Sequence, residues 1–206
     1  MKNVLILGAT GTFGTALVKR LSEEDGLALT LASRHAADVY GATVGRAVNC
    51  DATSVADLSA AAEGCDTVYC AVSGDQLPCV ARNIVLVMTE LGIRRLIIMG
   101  AVGIYDEIPV DMDDKDNVRN NPDQVPNREA ADIVEASGLD YTVLRPGYLR
   151  DGDAGDFVLT FKGEQAKGYI STIPSVVEFA TRLIKDDSLY AGQSVSITRD
   201  MTVANS

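Results

Sequence analysis

Residues 3–14, which read NVLILGATGTFG, are the most informative stretch of this chain for its architecture. An apolar run of strand length comes first, and a GxxGxxG pattern follows it directly. Apolar side chains then recur at helical spacing along residues 13–21. The stretch therefore predicts a β-strand, a tight glycine turn and an α-helix in immediate succession.

The three glycines of this turn suit a diphosphate ligand. Glycine allows the tight turn, lets backbone N–H groups approach the diphosphate and lets the helix pack closely on the sheet. The helix amino terminus adds partial positive charge. A purely structural turn can carry the same glycines, but their position between a first strand and a first helix favours a dinucleotide. The contacts we expect here are Gly8, Thr10, Gly11, Thr12, Phe13 and Gly14.

The rest of the chain alternates β-branched or leucine-rich runs with segments of helical period, which is typical of βαβ units around a parallel sheet. We predict strands at residues 3–7, 27–32, 46–50, 66–72, 95–99, 141–144 and 194–198. We predict helices at residues 12–24, 54–62, 77–91, 128–137 and 175–185. The predicted fold is α/β, a single Rossmann-like domain over residues 1–206 with a doubly wound parallel sheet.

Two parts of the chain depart from this alternation. Residues 106–127 are polar and acidic, and their proline and asparagine content predicts a long loop or lid instead of a continuous helix or strand. Residues 148–206 hold only short strand candidates, at 157–161 and 168–171, before the last helix. We expect this small carboxy-terminal part to form the substrate side of the domain.

The composition restricts the classes of function. The chain has 206 residues, 47% of them hydrophobic, which is enough for one core without disulfides or metals. A formal net charge of -11 argues against broad binding to nucleic acid or to an anionic membrane. The four cysteines form no CxxC pair and the chain has one histidine, so we expect no metal site.

The same features predict a location. The apolar run after Met1 is too short for a secretory signal, and no segment reaches membrane-spanning length. Free cysteines are ordinary in a reducing compartment. We therefore expect a cytoplasmic protein that binds a small-molecule substrate, either as a monomer or as a homodimer.

The end of the second strand bears on the choice between NAD and NADP. A site that prefers NAD carries Asp or Glu there for the ribose hydroxyls, whereas this chain has Ser33 and Arg34, followed by His35. A guanidinium binds a 2′-phosphate through two hydrogen bonds. We therefore predict that Ser33 and Arg34 belong to a site that prefers NADP(H), with NAD(H) possible. An Arg34 that merely tops a strand in solvent is the alternative, and His35 alone is expected to be a surface residue.

Other strand ends supply the remaining predicted contacts, because parallel sheets bind ligands at the carboxyl ends of their strands. Asp51 can accept a hydrogen bond from the adenine amino group, and it can also cap the next helix. Small residues that end the fourth strand leave room for the adenosine ribose, and those that end the fifth strand are expected to face the nicotinamide. These contacts are Asp51 and Ala52, then Ala71, Val72 and Ser73, and finally Ala101.

Three segments carry a family resemblance: GATGTFG at residues 8–14, SGLDYTVLRPG at residues 137–147 and IPSVVEFA at residues 173–180. In this order they resemble the atypical short-chain dehydrogenases/reductases, in particular the NAD(P)H-binding, NmrA-like branch related to flavin and biliverdin reductases. The resemblance implies that Arg145, Pro146 and Gly147 lie beside the nicotinamide, with Tyr148 and Leu149 bordering the substrate pocket. From the residues alone, Arg145 can equally be an ion-pair partner at a strand end.

The chain departs from the catalytic pattern of that superfamily. Its usual Tyr-x-x-x-Lys pair, in which the lysine lowers the tyrosine pKa, is missing. Counting back from residues 137–138 places Asn127 at the lysine position and the tyrosine position near Asp123. The fifth strand ends in Met-Gly-Ala at residues 99–101 instead of a Ser or Thr donor.

Two functions are compatible with these features. The first is an NADPH-dependent oxidoreductase acting on an acceptor such as a quinone or flavin, because the cofactor itself performs the demanding chemistry. Tyr105, Asp106 and Tyr148 are then expected near the acceptor, with Tyr105 and Tyr148 as candidate catalytic residues, although each can instead be a structural anchor. The second is a regulatory protein that senses NADP(H) without turnover, its acidic loop ordering when the cofactor binds.

Overall fold

The computed structural model describes residues 1–112 and 114–202 of the chain. Its strands are β1 (Lys2–Leu7), β2 (Leu27–Ser33), β3 (Arg46–Asn49), β4 (Thr67–Cys70), β5 (Arg95–Met99), β6 (Asp140–Pro146), β7 (Tyr148–Arg150), β8 (Val158–Phe161), β9 (Ile170–Thr172) and β10 (Gln193–Thr198). Its α-helices are α1 (Thr12–Leu21), α2 (Ala36–Tyr40), α3 (Val55–Ala62), α4 (Leu77–Leu91), α5 (Val125–Glu135) and α6 (Ile173–Lys185).

Eight of these strands form one sheet in the order β3-β2-β1-β4-β5-β6-β10-β8. Neighbouring strands are parallel, except that β8 is antiparallel to β10 at the edge. The direction of the crossovers reverses between β1 and β4, which opens a crevice at the carboxyl ends of these two strands. The predicted Rossmann-like α/β fold with a doubly wound sheet is confirmed.

Alternating side chains of the strands build a hydrophobic layer on each face of the sheet. Leu5 and Leu7 of β1 pack in the layer that includes α3, α4 and α5, whereas Val4 and Ile6 pack with α1 and α6. All four side chains are at most 1% exposed. A parallel strand that is buried on both faces has apolar residues at successive positions, which is the pattern of residues 4–7.

Most predicted elements are confirmed, and α4 and β5 have the predicted bounds. Gly92 ends α4 in the left-handed conformation, with φ 72°. The hydrophobic periodicity of the sequence did not predict α2 and β7, because elements of five and three residues are too short to show a period. Within residues 1–112 and 114–202, no helix has the length and apolar character needed to cross a lipid bilayer.

Helix α5 begins before its predicted start at Arg128. Pro126 lies in the first turn of this helix. Backbone amides there have no partner within the helix, so the missing amide proton of proline costs no hydrogen bond. The prolines of residues 106–127 thus include one that marks a helix start. The prediction of a loop that extends to Asn127 is wrong at its carboxyl end for this reason.

The segment between β5 and α5 is anchored to the rest of the domain. Its residues Glu107, Ile108 and Asn117 are 7%, 1% and 0% exposed. The Asn117 side chain both donates to and accepts from the backbone of Ile108, and the Val118 amide donates to the Gly103 carbonyl at 2.9 Å. A loop that packs its own side chains and brings its ends together in this way is a compact Ω-loop. The packing does not support the expected lid.

The chain beyond β6 adds a small second sheet and an edge to the main one. Strands β7 and β9 pair in parallel, with Leu149 opposite Ser171. The strands predicted at residues 157–161 and 168–171 correspond to β8 and β9. The carboxy-terminal part is therefore built onto the sheet through β10 and α6.

Tyr69 provides a test of the packing between the sheet and α1. It is fully buried in β4, its ring stacks on Phe13 with centroids 6.1 Å apart, and its hydroxyl has no hydrogen-bond partner among the described residues. An unsatisfied buried hydroxyl costs about 1–3 kcal/mol. We therefore expect Tyr69→Phe to raise the free energy of unfolding by about 1 kcal/mol, measured by urea denaturation. A less stable variant would show that the hydroxyl has a partner.

Candidate cofactor-binding site

The turn between β1 and α1 is held to the sheet through its backbone. The amides of Gly8 and Ala9 donate to the Ala32 carbonyl at the end of β2, at 2.9 and 3.2 Å. Gly8 has φ 81°, and a Cβ there would lie 3.0 Å from the backbone of Ala71. Glycine is the residue that combines this conformation with so close an approach. The turn is therefore fixed between the carboxyl ends of β2 and β4.

Gly14 allows α1 to pack directly on this turn. A Cβ on Gly14 would lie 2.1 Å from the carbonyl oxygen of Gly8, a distance that no side chain tolerates. The neighbouring Phe13 is buried against Tyr69. Gly14 and Phe13 therefore position the helix from behind the turn.

Gly11 is the amino-terminal cap of α1 and leaves this helix end open. It has no side chain that accepts hydrogen bonds from the first-turn amides, and the first turn contains no acidic residue. The first amides of a helix lack partners within the helix and carry its partial positive charge. A Cβ on Gly11 would meet, within 4 Å among the described residues, the Gly8 carbonyl oxygen at 3.4 Å. The space in front of this helix end is therefore suited to an anion such as a diphosphate.

A cleft of about 770 Å³ opens in front of this helix end, at the carboxyl ends of β1 to β4. This volume is typical of small-molecule and cofactor sites. The predicted contacts that line it are Gly8, Thr10, Gly11, Ser33, Arg34, Asp51, Ala52, Ala71, Val72 and Ser73.

Sequence reasoning missed the other residues of the cleft wall. Most of them are chain neighbours of predicted contacts, and the rest lie just before α4 or within it. The strand-end rule that selected Ser73 was the available signal for the residues just after it. The missed residues are Leu7, Ala32, His35, Cys50, Thr53, Asp75, Gln76 and Val80.

Asp51 and Arg34 influence each other electrostatically in this cleft. The pKa of the Asp51 carboxyl is lowered, chiefly because the hydroxyl and amide of Thr53 donate to it at 2.7 and 2.9 Å, with a smaller effect of the positive charge of Arg34. The capping role considered for Asp51 belongs to Ser54, whose hydroxyl accepts from the Asp57 amide at the start of α3. Asp51 is therefore an anion in a turn that Thr53 holds in place.

Cys50 does not provide a reactive thiolate in this cleft. Burial raises the pKa of the Cys50 thiol to about 11, so this group stays protonated and acts as apolar lining. In the parts of the chain that the structure describes, no group of three or more His, Cys, Asp or Glu side chains could hold a metal ion.

The remaining predicted contacts lie outside this cleft. Thr12 is exposed at the start of α1, and Ala101 follows the end of β5. Pro146 and Gly147 are buried at the end of β6, where the Val102 amide donates to the Pro146 carbonyl at 2.9 Å and the Gly147 amide donates to the Ser171 hydroxyl at 2.8 Å. The structure thus brings the ends of β5 and β6 together, beyond β4 in the strand order. The predicted contacts outside the cleft are Thr12, Phe13, Gly14, Ala101, Pro146 and Gly147.

Arg145 is the ion-pair partner of Glu107, which was the structural alternative for this residue. Its side chain is completely buried and donates to the Glu107 carboxylate and, at 3.0 Å, to the Ser194 hydroxyl. Burial lowers the pKa of Arg145, and the charge of Glu107 opposes this effect. The guanidinium therefore holds the β5–α5 loop against β6 and β10.

Tyr105 is also fixed within the protein. Its hydroxyl donates to Glu135 at 2.5 Å and lies 3.2 Å from the Ser194 hydroxyl. Burial, and then the hydrogen bond to Glu135, raise the pKa of Tyr105. This geometry opposes the candidate catalytic role, because proton transfer near neutral pH requires a lowered tyrosine pKa. Three cationic groups lie 4.5 to 5.0 Å from the centre of its ring, those of Arg128, Arg145 and Lys162.

The other two polar candidates differ in their surroundings. Asp106 accepts a hydrogen bond from the Arg119 amide at 3.0 Å and so anchors the β5–α5 loop. Tyr148 is 66% exposed on β7, with the Arg150 guanidinium 5.7 Å from its ring. Of the two candidate catalytic tyrosines, Tyr148 is the one whose side chain is open to solvent.

A protein family described as NAD(P)H-binding matches residues 8–187. The chain belongs to this NAD(P)H-binding family. No curated protein matches the chain. The matched region begins at Gly8, the first residue of the glycine turn that lines the cleft.

Solved structures share this fold over nearly the whole chain. A Rossmann-fold NAD(P)-binding family protein from Shigella flexneri is 32% identical, with a TM-score of 0.84 over 98% of this chain and 95% of that one. A short-chain dehydrogenase/reductase from Veillonella parvula, in complex with NADP, is 22% identical, with a TM-score of 0.86 over 98% and 96%. ChuY, an anaerobillin reductase from Escherichia coli O157:H7, is 20% identical, with a TM-score of 0.83 over 97% and 98%. The predicted membership of an NAD(P)H-binding family is confirmed, and the chain shares the fold of a solved short-chain dehydrogenase/reductase.

Substitution of Gly11 is expected to weaken cofactor binding without preventing folding. The side chain of Gly11→Val would occupy the space in front of α1, so we expect the affinity for NADP(H) and NAD(H) to fall by about a hundredfold or more, as expected for the loss of two charge-assisted hydrogen bonds. Calorimetric titration measures the affinity, and thermal unfolding should show a melting temperature within a few degrees of the parent. Gly14→Ala is the matched control, because its Cβ would clash with the turn and destabilise the fold. A folded Gly11→Val protein that keeps its affinity contradicts the site.

Proposed function

We propose that this protein is an NADPH-dependent oxidoreductase that transfers hydride to a small-molecule acceptor such as a quinone or a flavin. The observation that carries the proposal is the open amino end of α1, which faces a cleft lined by Arg34 at the end of β2. A dinucleotide places its diphosphate at such a helix end and its adenosine at the ends of the neighbouring strands. When bound, the nicotinamide supplies the hydride, and the protein binds and orients it.

The turn residues support binding of the diphosphate. The Gly11 amide closes the turn by donating to the Gly8 carbonyl at 3.1 Å, so the amides left for a diphosphate are those of the first turn of α1, where the helix dipole favours negative charge. The Thr10 hydroxyl donates to the Ser33 hydroxyl at 3.0 Å and so joins the glycine turn to the end of β2. The two parts of the cleft that would hold the diphosphate and the adenosine ribose are therefore rigidly connected.

The end of β2 supports a preference for NADP(H) over NAD(H). Arg34 is exposed there and no carboxylate occupies the strand end, whereas Asp51 across the cleft is engaged by Thr53. A guanidinium matches the geometry and charge of a 2′-phosphate. The structural neighbour from Veillonella parvula was solved with NADP. NAD(H) fits the same cleft without this contact.

The position of the acceptor follows from the direction in which the dinucleotide would lie across the sheet. We place the nicotinamide beyond β4, toward Ala101 and the Pro146–Gly147 bend, with Tyr148 and the rest of residues 148–206 on the acceptor side. Tyr105 and Arg145 take no part, because their polar groups are engaged within the protein. Without a tyrosine–lysine pair, an acceptor that delocalises the incoming charge is favoured, since the protein then mainly has to align two rings.

A second candidate function is the sensing of NADP(H) without turnover, as expected for an NmrA-like protein. The observation that favours it is the Tyr105 hydroxyl, which Glu135 holds in a state unsuited to proton transfer. The anchored β5–α5 loop does not support the order–disorder transition expected for a sensor. A sensing role would therefore use another surface.

Both functions fit a protein that acts in the cytoplasm, as a monomer or a homodimer. Cys50, Cys65 and Cys70 are buried free thiols, as is usual in a reducing compartment. We propose this location for either function.

Turnover distinguishes the two functions. NADPH is mixed with the protein and a panel of quinones and flavins, and the loss of reduced nicotinamide absorbance is followed. Oxidation at about 1 per second or faster, in the range of ordinary enzymes, supports the oxidoreductase, provided that Gly11→Val lacks it. Tight NADPH binding without oxidation by any acceptor supports the sensor, and absence of binding contradicts both.

Arg34→Ala tests the cofactor preference. The lost charge-assisted contact is worth about 1.5–3 kcal/mol, so we expect NADP(H) affinity to fall about tenfold to a hundredfold while NAD(H) affinity changes little. Calorimetric titration with both coenzymes measures the two changes. Arg82→Ala is the control, since Arg82 is an exposed arginine of α4 outside the cleft lining. Equal losses for both coenzymes would mean that Arg34 does not contact the 2′-phosphate.

A further inference from the structure

His35 is the one histidine of the chain, and it lines the cleft directly after Arg34. Its side chain is 78% exposed, as expected for a surface residue. The exposed imidazole nevertheless lies in the same part of the cleft wall as the guanidinium. Two groups that can carry positive charge thus occupy consecutive positions at the end of β2.

The backbone that carries this pair is held on both sides. Before the pair, the Ser33 carbonyl accepts from the Cys50 amide at 2.9 Å. After the pair, Ala36 is completely buried, and the Ala37 amide donates to the Asn49 side chain at 2.9 Å. The side chains of Arg34 and His35 therefore extend from a fixed support, which lowers the entropy lost when they bind a ligand.

Charged groups from several elements line the same cleft as the imidazole or lie beside it. Asp38, in the first turn of α2, has its carboxylate 3.7 Å from the His35 Nδ1 atom. The other charged side chains of the cleft lining are Arg34 at the end of β2, Asp51 after β3 and Asp75 before α4. A phosphate bound beside the pair would add negative charge next to the imidazole and favour its protonated form.

We propose that His35 is a second contact of the 2′-phosphate of NADP(H), and that its protonation sets how strongly the protein prefers NADP(H) to NAD(H). The proposal rests on the proposed function, because it requires a dinucleotide in the cleft. Histidine changes its charge between about pH 5 and pH 8, so this contact contributes most in mildly acidic solution. Arg34 stays charged throughout this range and supplies the part that is independent of pH.

Two ionisations act in opposite directions on the affinity for NADP(H). A phosphate monoester loses its second proton near pH 6, which strengthens its binding to Arg34 as the pH rises. Loss of the imidazolium proton weakens the contact with His35 as the pH rises. The affinity of the parent protein therefore passes through a maximum, whereas that of His35→Asn rises to a plateau. NAD(H) lacks the 2′-phosphate and follows neither course.

Proton NMR of the untagged protein tests the proposal directly, because a single histidine contributes one set of imidazole ring signals. The titration of these signals is followed in the free protein, with NAD⁺ and with NADP⁺. We expect the midpoint to be about one pH unit higher in the NADP⁺ complex than in the NAD⁺ complex, which corresponds to a tenfold preference for the protonated form. Equal midpoints in the two complexes would overturn the proposal.

Affinity measurements provide the second test. We expect the ratio of NADP⁺ affinities between the parent and His35→Asn to be about tenfold near pH 6 and below about twofold near pH 8.5, as imidazole loses its charge. The same ratio for NAD⁺ should stay constant. A ratio for NADP⁺ that does not change with pH would overturn the proposal.

Asp38→Asn is the matched control for the neighbouring carboxylate. We expect it to preserve the difference between the midpoints of the imidazole titration in the NADP⁺ and NAD⁺ complexes. Loss of that difference would assign the effect to Asp38 and overturn the role of the phosphate. Failure of both coenzymes to bind would contradict the proposed function itself, whereas binding of both with equal midpoints removes only the role of His35.

Discussion

The close approach of α1 to the glycine turn is the contact on which the rest of this structure depends. Because Gly14 has no side chain, the helix packs directly against the Gly8 carbonyl, and its amino end, capped by Gly11, borders the cleft. Gly8 in turn lies against the backbone at the end of β4. The turn therefore joins the two halves of the sheet at the point where the crossovers reverse, and the binding cleft follows from that arrangement.

The cleft also shows how an acidic protein can bind an anionic cofactor. The chain carries a formal net charge of -11, but charges farther apart than about 8 Å are largely screened at physiological ionic strength. In the proposed complex, the groups beside the diphosphate and the adenosine are the open end of α1, Arg34 and His35. Asp51, one of the carboxylates that line the cleft, accepts two hydrogen bonds from Thr53. Local geometry thus outweighs the overall charge.

Beyond β4 in the strand order, polar side chains stabilise the structure. Glu107, Arg145, Ser194, Tyr105 and Glu135 form a connected network that attaches the β5–α5 loop to β6, β10 and α5. Removing one member of a buried ion pair is costly, because the other charge is left uncompensated. Tyr105 and Arg145, for which the sequence suggested a role near the acceptor or the nicotinamide, therefore hold this loop in place.

The sequence by itself determined the α/β fold, the glycine turn and most of the residues that line the cleft, since these depend on short-range patterns: strand and helix periods, and residues at or directly after the end of a strand. It left open whether Arg145 and Tyr105 face a ligand or other protein groups. Only the tertiary structure decided this, because their partners Glu107 and Glu135 lie 38 and 30 residues away in the chain. Such pairings depend on how a loop and a helix pack across the sheet, and no local period records that packing.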